Sequence, residues 1–159
     1  MLPFDQLSKV WEDCADRLLL IARSFGRSGE DAVQEAFIAL SRQSKLPDEP
    51  LAWLVKVARN QVLQWNRSEQ RRAQRHIARA TDVAWLENAE GESIDALDVS
   101  EALKKLPTDL SEVVTMHLWG QLTFEQIADV VGSSRSTVHR RYTDAIQILR
   151  EHFSCPIEK

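Results

Sequence analysis

Thr123-Phe124-Glu125-Gln126-Ile127-Ala128-Asp129-Val130-Val131-Gly132-Ser133-Ser134-Arg135-Ser136-Thr137-Val138 is the stretch on which the fold turns. Thr123 and Gln126 stand three residues apart in the form of a capping box, in which each side chain satisfies a free amide at a helix start, so a helix begins at Phe124. Ile127, Ala128 and Val131 supply its buried face, and Gly132 supplies the turn. Ser134-Arg135-Ser136-Thr137 then opens a second helix with a new cap. On that helix Val138, Tyr142, Ala145 and Leu149 share one face, which leaves Arg135, Ser136, His139, Arg140 and Thr143 on another. Two short helices joined by a tight turn make a helix-turn-helix. The polar face of the second helix carries donors suited to guanine and phosphate oxygens, as a helix in the major groove requires. The competing reading is a solvated face on an ordinary helical hairpin.

Helical periodicity extends upstream of this motif. Val99, Ala102, Leu103 and Leu106 predict a helix ended by Pro107, and Leu110, Val113, Val114 and Leu118 predict another ended by Gly120. Near the other end, Leu7, Val10, Trp11, Leu18, Ile21 and Ala22 recur at helical spacing over residues 4–25, with Gly26 as the stop. Ser28 precedes Glu30 and Asp31, an acidic first turn, and Ala32, Val33, Ala36, Phe37 and Leu40 form the buried stripe of a second helix running to about Gln43. A loop follows, and Pro50 sits in the first turn of a third helix, where a proline is tolerated. Its stripe is Trp53, Leu54, Val57, Ala58, Gln61 and Val62, and Trp65 with the arginines beyond carries it to about Ala80. Periodicity weakens over residues 81–98, with at most a short helical piece at residues 83–86. The expected fold is therefore all-α, with two small helical domains at residues 1–80 and 99–159 joined by an acidic linker at 81–98.

A chain that is 43% hydrophobic and 28% charged, with only 5 Gly and 5 Pro, suits packed helices and excludes a disordered or collagen-like protein. Leu18-Leu19-Leu20-Ile21-Ala22 is bracketed by Arg17 and Arg23 and is far shorter than the roughly 20 residues of a membrane span. The residues after Met1 lack the pattern of a secretory signal, which leads to an expectation of the cytoplasm. Cys14 and Cys155 form no metal-ligand spacing, and no disulfide is expected. The formal net charge of −4 argues against a nucleic-acid partner until its distribution is read. Arg59, Arg67, Arg71, Arg72, Arg75 and Arg79 crowd one stretch opposed only by Glu69. Asp82, Glu87, Glu90, Glu92, Asp95 and Asp98 follow with no Lys or Arg among them, so the charge is polarised.

At these residues the chain resembles an extracytoplasmic-function sigma factor of the sigma-70 family. Leu106-Pro107, then Gly120 to Ala128 and Ser136-Thr137-Val138, resemble the region four that reads the minus-thirty-five element. Many helix-turn-helix regulators, including LuxR-type output domains, share that pattern. The N-terminal half separates the two: Asp31-Ala32-Val33-Gln34-Glu35-Ala36-Phe37 resembles the region-two motif that docks on the polymerase clamp helices. Ala52-Trp53-Leu54-Val55-Lys56-Val57-Ala58-Arg59-Asn60 resembles the helix that opens the minus-ten element.

The resemblance implies roles by position. Asp31, Gln34, Glu35 and Ile38 would bind core polymerase, an acidic and partly apolar patch facing a basic partner. Lys56, Arg59, Asn60, Arg67, Arg71 and Arg72 would serve the minus-ten element, with Asn60 and the loop at residues 44–51 receiving a flipped base. Arg135, Ser136, His139, Arg140 and Thr143 would contact the minus-thirty-five element. Two departures from the pattern stand out: Asp144 where relatives place a basic residue, and a loop that holds Pro47 and Pro50 but no aromatic. The implied partners are core RNA polymerase and promoter DNA, with an anti-sigma factor as a candidate regulator; no cofactor and no membrane insertion are expected. The runner-up is a stand-alone regulator that binds operators as a dimer, which leaves the region-two motifs unexplained. Enzyme chemistry is not expected: there is no phosphate-binding Gly loop, and His76, His117, His139 and His152 are scattered without a paired nucleophile. Of these only His139 is assigned a function, as a DNA contact.

Overall fold

The computed structural model describes residues 1–26, 28–73 and 94–154. Among them are seven helices and no strand: α1 (Phe4–Arg23), α2 (Gly29–Ser41), α3 (Pro50–Ala73), α4 (Ile94–Lys105), α5 (Thr108–Leu118), α6 (Phe124–Val131) and α7 (Arg135–Ser154). None of them is long and apolar enough to cross a membrane. The helices form two compact units, α1 to α3 and α4 to α7.

In the first unit each helix packs on the other two. Val10, Cys14, Leu18, Ile21 and Ala22 form the buried stripe of α1, Ala32, Val33, Ala36 and Leu40 that of α2, and Leu51, Leu54, Val55, Ala58 and Val62 that of α3. Small residues let α2 come close to its neighbours. At Gly29 the approach is closest, since a Cβ there would run into the main chain of Ala22 and Arg23. Backbone cannot yield as a flexible side chain does, so Gly29→Ala should cost about 1–3 kcal/mol by overpacking. Urea unfolding of the full chain measures this, and a midpoint equal to wild type would refute it. The same tight turn explains why Ser28 makes no side-chain cap: its φ of −86° and ψ of 10° are not the extended backbone of a capping residue, and the Gly29 amide bonds to the Gly26 carbonyl at 3.1 Å instead. Cys14 is buried, and that burial raises its thiol pKa, which keeps it protonated and inert; Cys155 lies outside the described residues.

The second unit is centred on Leu103, Leu106, Leu110, Val114 and Ala145, with Trp119, Tyr142 and Leu149 packed against them. Thr123 and Gln126 form the expected capping box, the Gln126 amide donating to the Thr123 hydroxyl at 3.1 Å and the Thr123 amide to the Gln126 side-chain carbonyl at 2.8 Å. Gly132 ends α6 in the left-handed region at φ 69°, which a residue with a Cβ adopts only under strain. The Ser134 hydroxyl then accepts from the Thr137 amide at 3.2 Å, so α7 opens with a cap of its own.

Several buried positions differ from the sequence expectation. Val55 is fully buried while Val57 and Trp53 are only half-buried, because α3 is covered along a face shifted toward Leu51 and Val55. Met116 is buried and Leu118 exposed at the end of α5, and Val130 rather than Val131 fills the core from α6. Val99 is exposed. α4 begins at Ile94, inside the stretch read as linker and ahead of Val99, the first position of the expected second domain. The rest of that linker, and the extension of α3 toward Ala80 with Arg75 and Arg79, lie outside the described residues.

Candidate docking and nucleic-acid surfaces

Three exposed surfaces carry the predicted residues. On α2, the buried stripe of Ala32, Val33, Ala36 and Leu40 turns Asp31, Gln34, Glu35 and Ile38 outward, and all four are exposed, Ile38 at 43%. These positions fall at i, i+3, i+4 and i+7, so they form one continuous strip of two acids, an amide and an apolar side chain.

Beside that strip lies an apolar feature the sequence reading missed. Phe4, Leu7, Ser8 and Trp11 of α1 and Phe37 of α2 line a cavity of about 360 Å³, in which the Trp11 and Phe37 rings meet at 4.7 Å and 54°. Trp11, expected in the buried stripe, is 51% exposed, and Phe4 is 84% exposed. The missed signal is a second stripe: Phe4, Leu7 and Trp11 repeat at i, i+3 and i+7, offset from the Val10, Cys14, Leu18, Ile21 series that faces the core. The Leu2 amide donates to the Ser41 carbonyl at 2.9 Å, which ties the residues before α1 to the end of α2 and holds the cavity's two walls together.

On α3, Asn60, Arg67, Arg71 and Arg72 are exposed, whereas Lys56 and Arg59 are half-buried. At 3.6 residues per turn, Lys56, Asn60, Arg67 and Arg71 share a sector of about 60°, and the strip from Lys56 to Arg71 is about 22 Å long. Arg72 is turned about 100° from Arg71, and Arg59 about 100° from Asn60, so these two flank the strip rather than belong to it. Asn60 stands about 15 Å along the helix from Pro50, where the loop of residues 44–51 enters.

On α7, Arg135, Ser136, His139, Arg140 and Thr143 are all exposed, opposite the buried Val138 and Ala145. Thr143 is less available than its exposure indicates, because its hydroxyl donates to the His139 carbonyl at 3.0 Å within the same helix. Arg141, which the sequence reading did not single out, is half-buried and lies 3.6 Å from the Asp109 carboxylate, linking α7 to the first turn of α5. Asp144 is exposed beside this face and lowers its positive charge.

The family model for sigma-70 region 2 matches residues 10–72, and that for sigma-70 region 4 matches residues 102–151. A search of curated protein sequences returns no match. The fold is similar to that of the sigma factor RpoE from Bartonella quintana, solved in complex with the anti-sigma factor NepR, with a TM-score of 0.79 and 22% identity over 97% of this chain and 99% of that one. It is also similar to CnrH, solved in complex with the cytosolic domain of CnrY, with a TM-score of 0.60 and 23% identity over 92% of this chain and 86% of that one. Since the two region models follow each other in order and together span more than two thirds of the sequence, the chain belongs to the sigma-70 family, as a transcription-initiation factor that carries regions 2 and 4.

Proposed function

We propose that this sigma factor divides its work among the three surfaces: α2 docks on core RNA polymerase, α3 opens the minus-ten element, and α7 reads the minus-thirty-five element. The observation that carries this reading is the placement of an exposed acidic and apolar strip on α2 and a basic strip on α3 within one three-helix unit. A stand-alone regulator has no use for either. The docking face includes the cavity beside Trp11 and Phe37, where an apolar partner side chain gains burial that the acids alone do not provide. Arg67 and Arg71 hold phosphates, so affinity at this surface falls as salt rises.

At the minus-ten element one base leaves the stack and enters a pocket to which Asn60 and residues 44–51 contribute. At the minus-thirty-five element the exposed end of α7 enters the major groove. The chain works as a binding subunit, with polymerase supplying the chemistry, and it acts in the cytoplasm, where core polymerase and promoters are. The solved relatives held by an anti-sigma factor and by the cytosolic domain of CnrY support a protein regulator of the same kind for this chain. Transcription in vitro by core polymerase plus this chain on a promoter library tests the whole reading, and absence of any selected promoter would overturn it.

Arg140→Ala should reduce discrimination at a base pair of the minus-thirty-five element by about 1–3 kcal/mol, the worth of a bidentate contact to guanine. The selected-promoter profile reads this directly. A uniform loss across all promoters would reassign Arg140 to a phosphate, and no change would remove it from the interface.

A further inference from the structure

The recognition helix is held by fewer buried residues than its length leads one to expect. α7 runs for 20 residues, yet only Val138 and Ala145 on it are fully buried. Between them stands Tyr142, half-buried, and against Tyr142 lies a cluster of rings drawn from three helices. His117, at the end of α5, lies nearly parallel to Phe124 of α6, with centroids 4.5 Å apart and planes at 22°. It meets Tyr142 edge-on at 4.9 Å and 75°. Phe124 in turn meets Tyr142 at 5.4 Å and 54°, and His139 edge-on at 5.4 Å and 88°. His139 is one of the exposed residues on the face assigned to DNA.

One hydrogen bond fixes the His117 ring. Its Nδ1 lies 2.9 Å from the Leu122 carbonyl, and a carbonyl only accepts, so Nδ1 carries the proton and donates. Leu122 immediately precedes Thr123, the capping residue of α6, and the turn before it holds Gln121 at φ 55°. The ring is thus anchored on the main chain of the α5–α6 turn and presses on the recognition helix twice, directly at Tyr142 and through Phe124, whose ring meets His139 and Tyr142.

We propose that His117 is a positioning residue for minus-thirty-five recognition: by its Nδ1–H bond and its stack on Phe124 and Tyr142 it sets the rotation of α7 and the orientation of His139. It touches no base itself. Loss of the anchor lets Phe124 and Tyr142 shift, and the donors of α7 then meet the base edges at altered angles, to which a hydrogen bond is sensitive.

The inference rests on reading α7 as the minus-thirty-five helix, and the experiment keeps the two apart. Holoenzyme carrying wild type, His117→Phe, His117→Ala or Arg140→Ala is used to select promoters randomised at the minus-thirty-five element, with circular dichroism and core-polymerase binding measured on each full-length variant. His117→Phe keeps a ring of similar shape in the stack but loses the donor, so it isolates the anchor even where His117→Ala fails to fold. The expected result is near-normal helicity and polymerase binding for His117→Phe with discrimination at the best-read position reduced by about fivefold, comparable to the lower end of a lost base contact. A His117→Phe profile matching wild type, while Arg140→Ala alters it, overturns the positioning role alone. Unaltered profiles for both would overturn the recognition-helix reading beneath it.

Discussion

Glu35→Arg is expected to abolish holoenzyme formation while leaving the chain folded. Glu35 is exposed on α2, on the side away from Ala32, Val33, Ala36 and Leu40, so its replacement disturbs no core contact. Exposed substitutions of that kind usually change stability by no more than about 0.5 kcal/mol. At the proposed interface the effect is far larger. Removing one member of a desolvated, hydrogen-bonded charge pair costs about 2–5 kcal/mol, and reversal adds repulsion from the basic partner. Affinity for core polymerase should therefore fall at least about 30-fold. Titration of labelled protein with core polymerase measures this, with circular dichroism to establish the fold. Unchanged binding by Glu35→Arg would dismiss the α2 docking face. Because the apolar cavity beside Trp11 is untouched by this change, weak binding that recovers at high salt would show that repulsion, not loss of the surface, causes the defect.

Asn60→Ala should leave polymerase binding intact and impair strand opening. Asn60 is exposed on α3, a different helix from the docking strip, so the two steps separate. Extruding a base costs a few kcal/mol, which contacts in the pocket must offset. Losing one or two of those hydrogen bonds removes roughly 1–3 kcal/mol. For an opening equilibrium that is nearly balanced, this is a factor of about 5 to 150. A template with a preformed bubble bypasses part of the cost, so the defect should shrink on it. Permanganate footprinting of duplex and bubble promoters measures both, and equal opening of duplex DNA by wild type and Asn60→Ala would eliminate Asn60 from the pocket. The result also separates this protein's region two from any helix-turn-helix regulator, which binds duplex without opening it.

The features that sequence alone determined are those whose causes lie within one helical turn. The Thr123–Gln126 box, the left-handed Gly132, the Ser134 cap and the start of α3 at Pro50 each depend on hydrogen bonds or steric limits between residues at most four or five apart. The outward strip of α2 and the exposed face of α7 were legible for a related reason: one clear apolar stripe leaves the opposite side to solvent.

Where a helix carries more apolar residues than one neighbour can cover, only tertiary structure decides which are buried. α1 has two stripes, and the packing of α2 and α3 covers Val10, Cys14 and Leu18 but leaves Phe4 and Trp11 at the surface. Val55 over Val57, Met116 over Leu118 and Val130 over Val131 were settled the same way, by the face on which a partner helix lies. His117 shows the limit most clearly: alone in the sequence it is one scattered histidine, and its anchor on Leu122 and stack on Phe124 and Tyr142 exist only because α5, α6 and α7 meet there. Local rules specify where a helix starts and which faces are polar, whereas the choice among competing apolar faces is a property of the packed core, where burial is shared between helices distant in sequence.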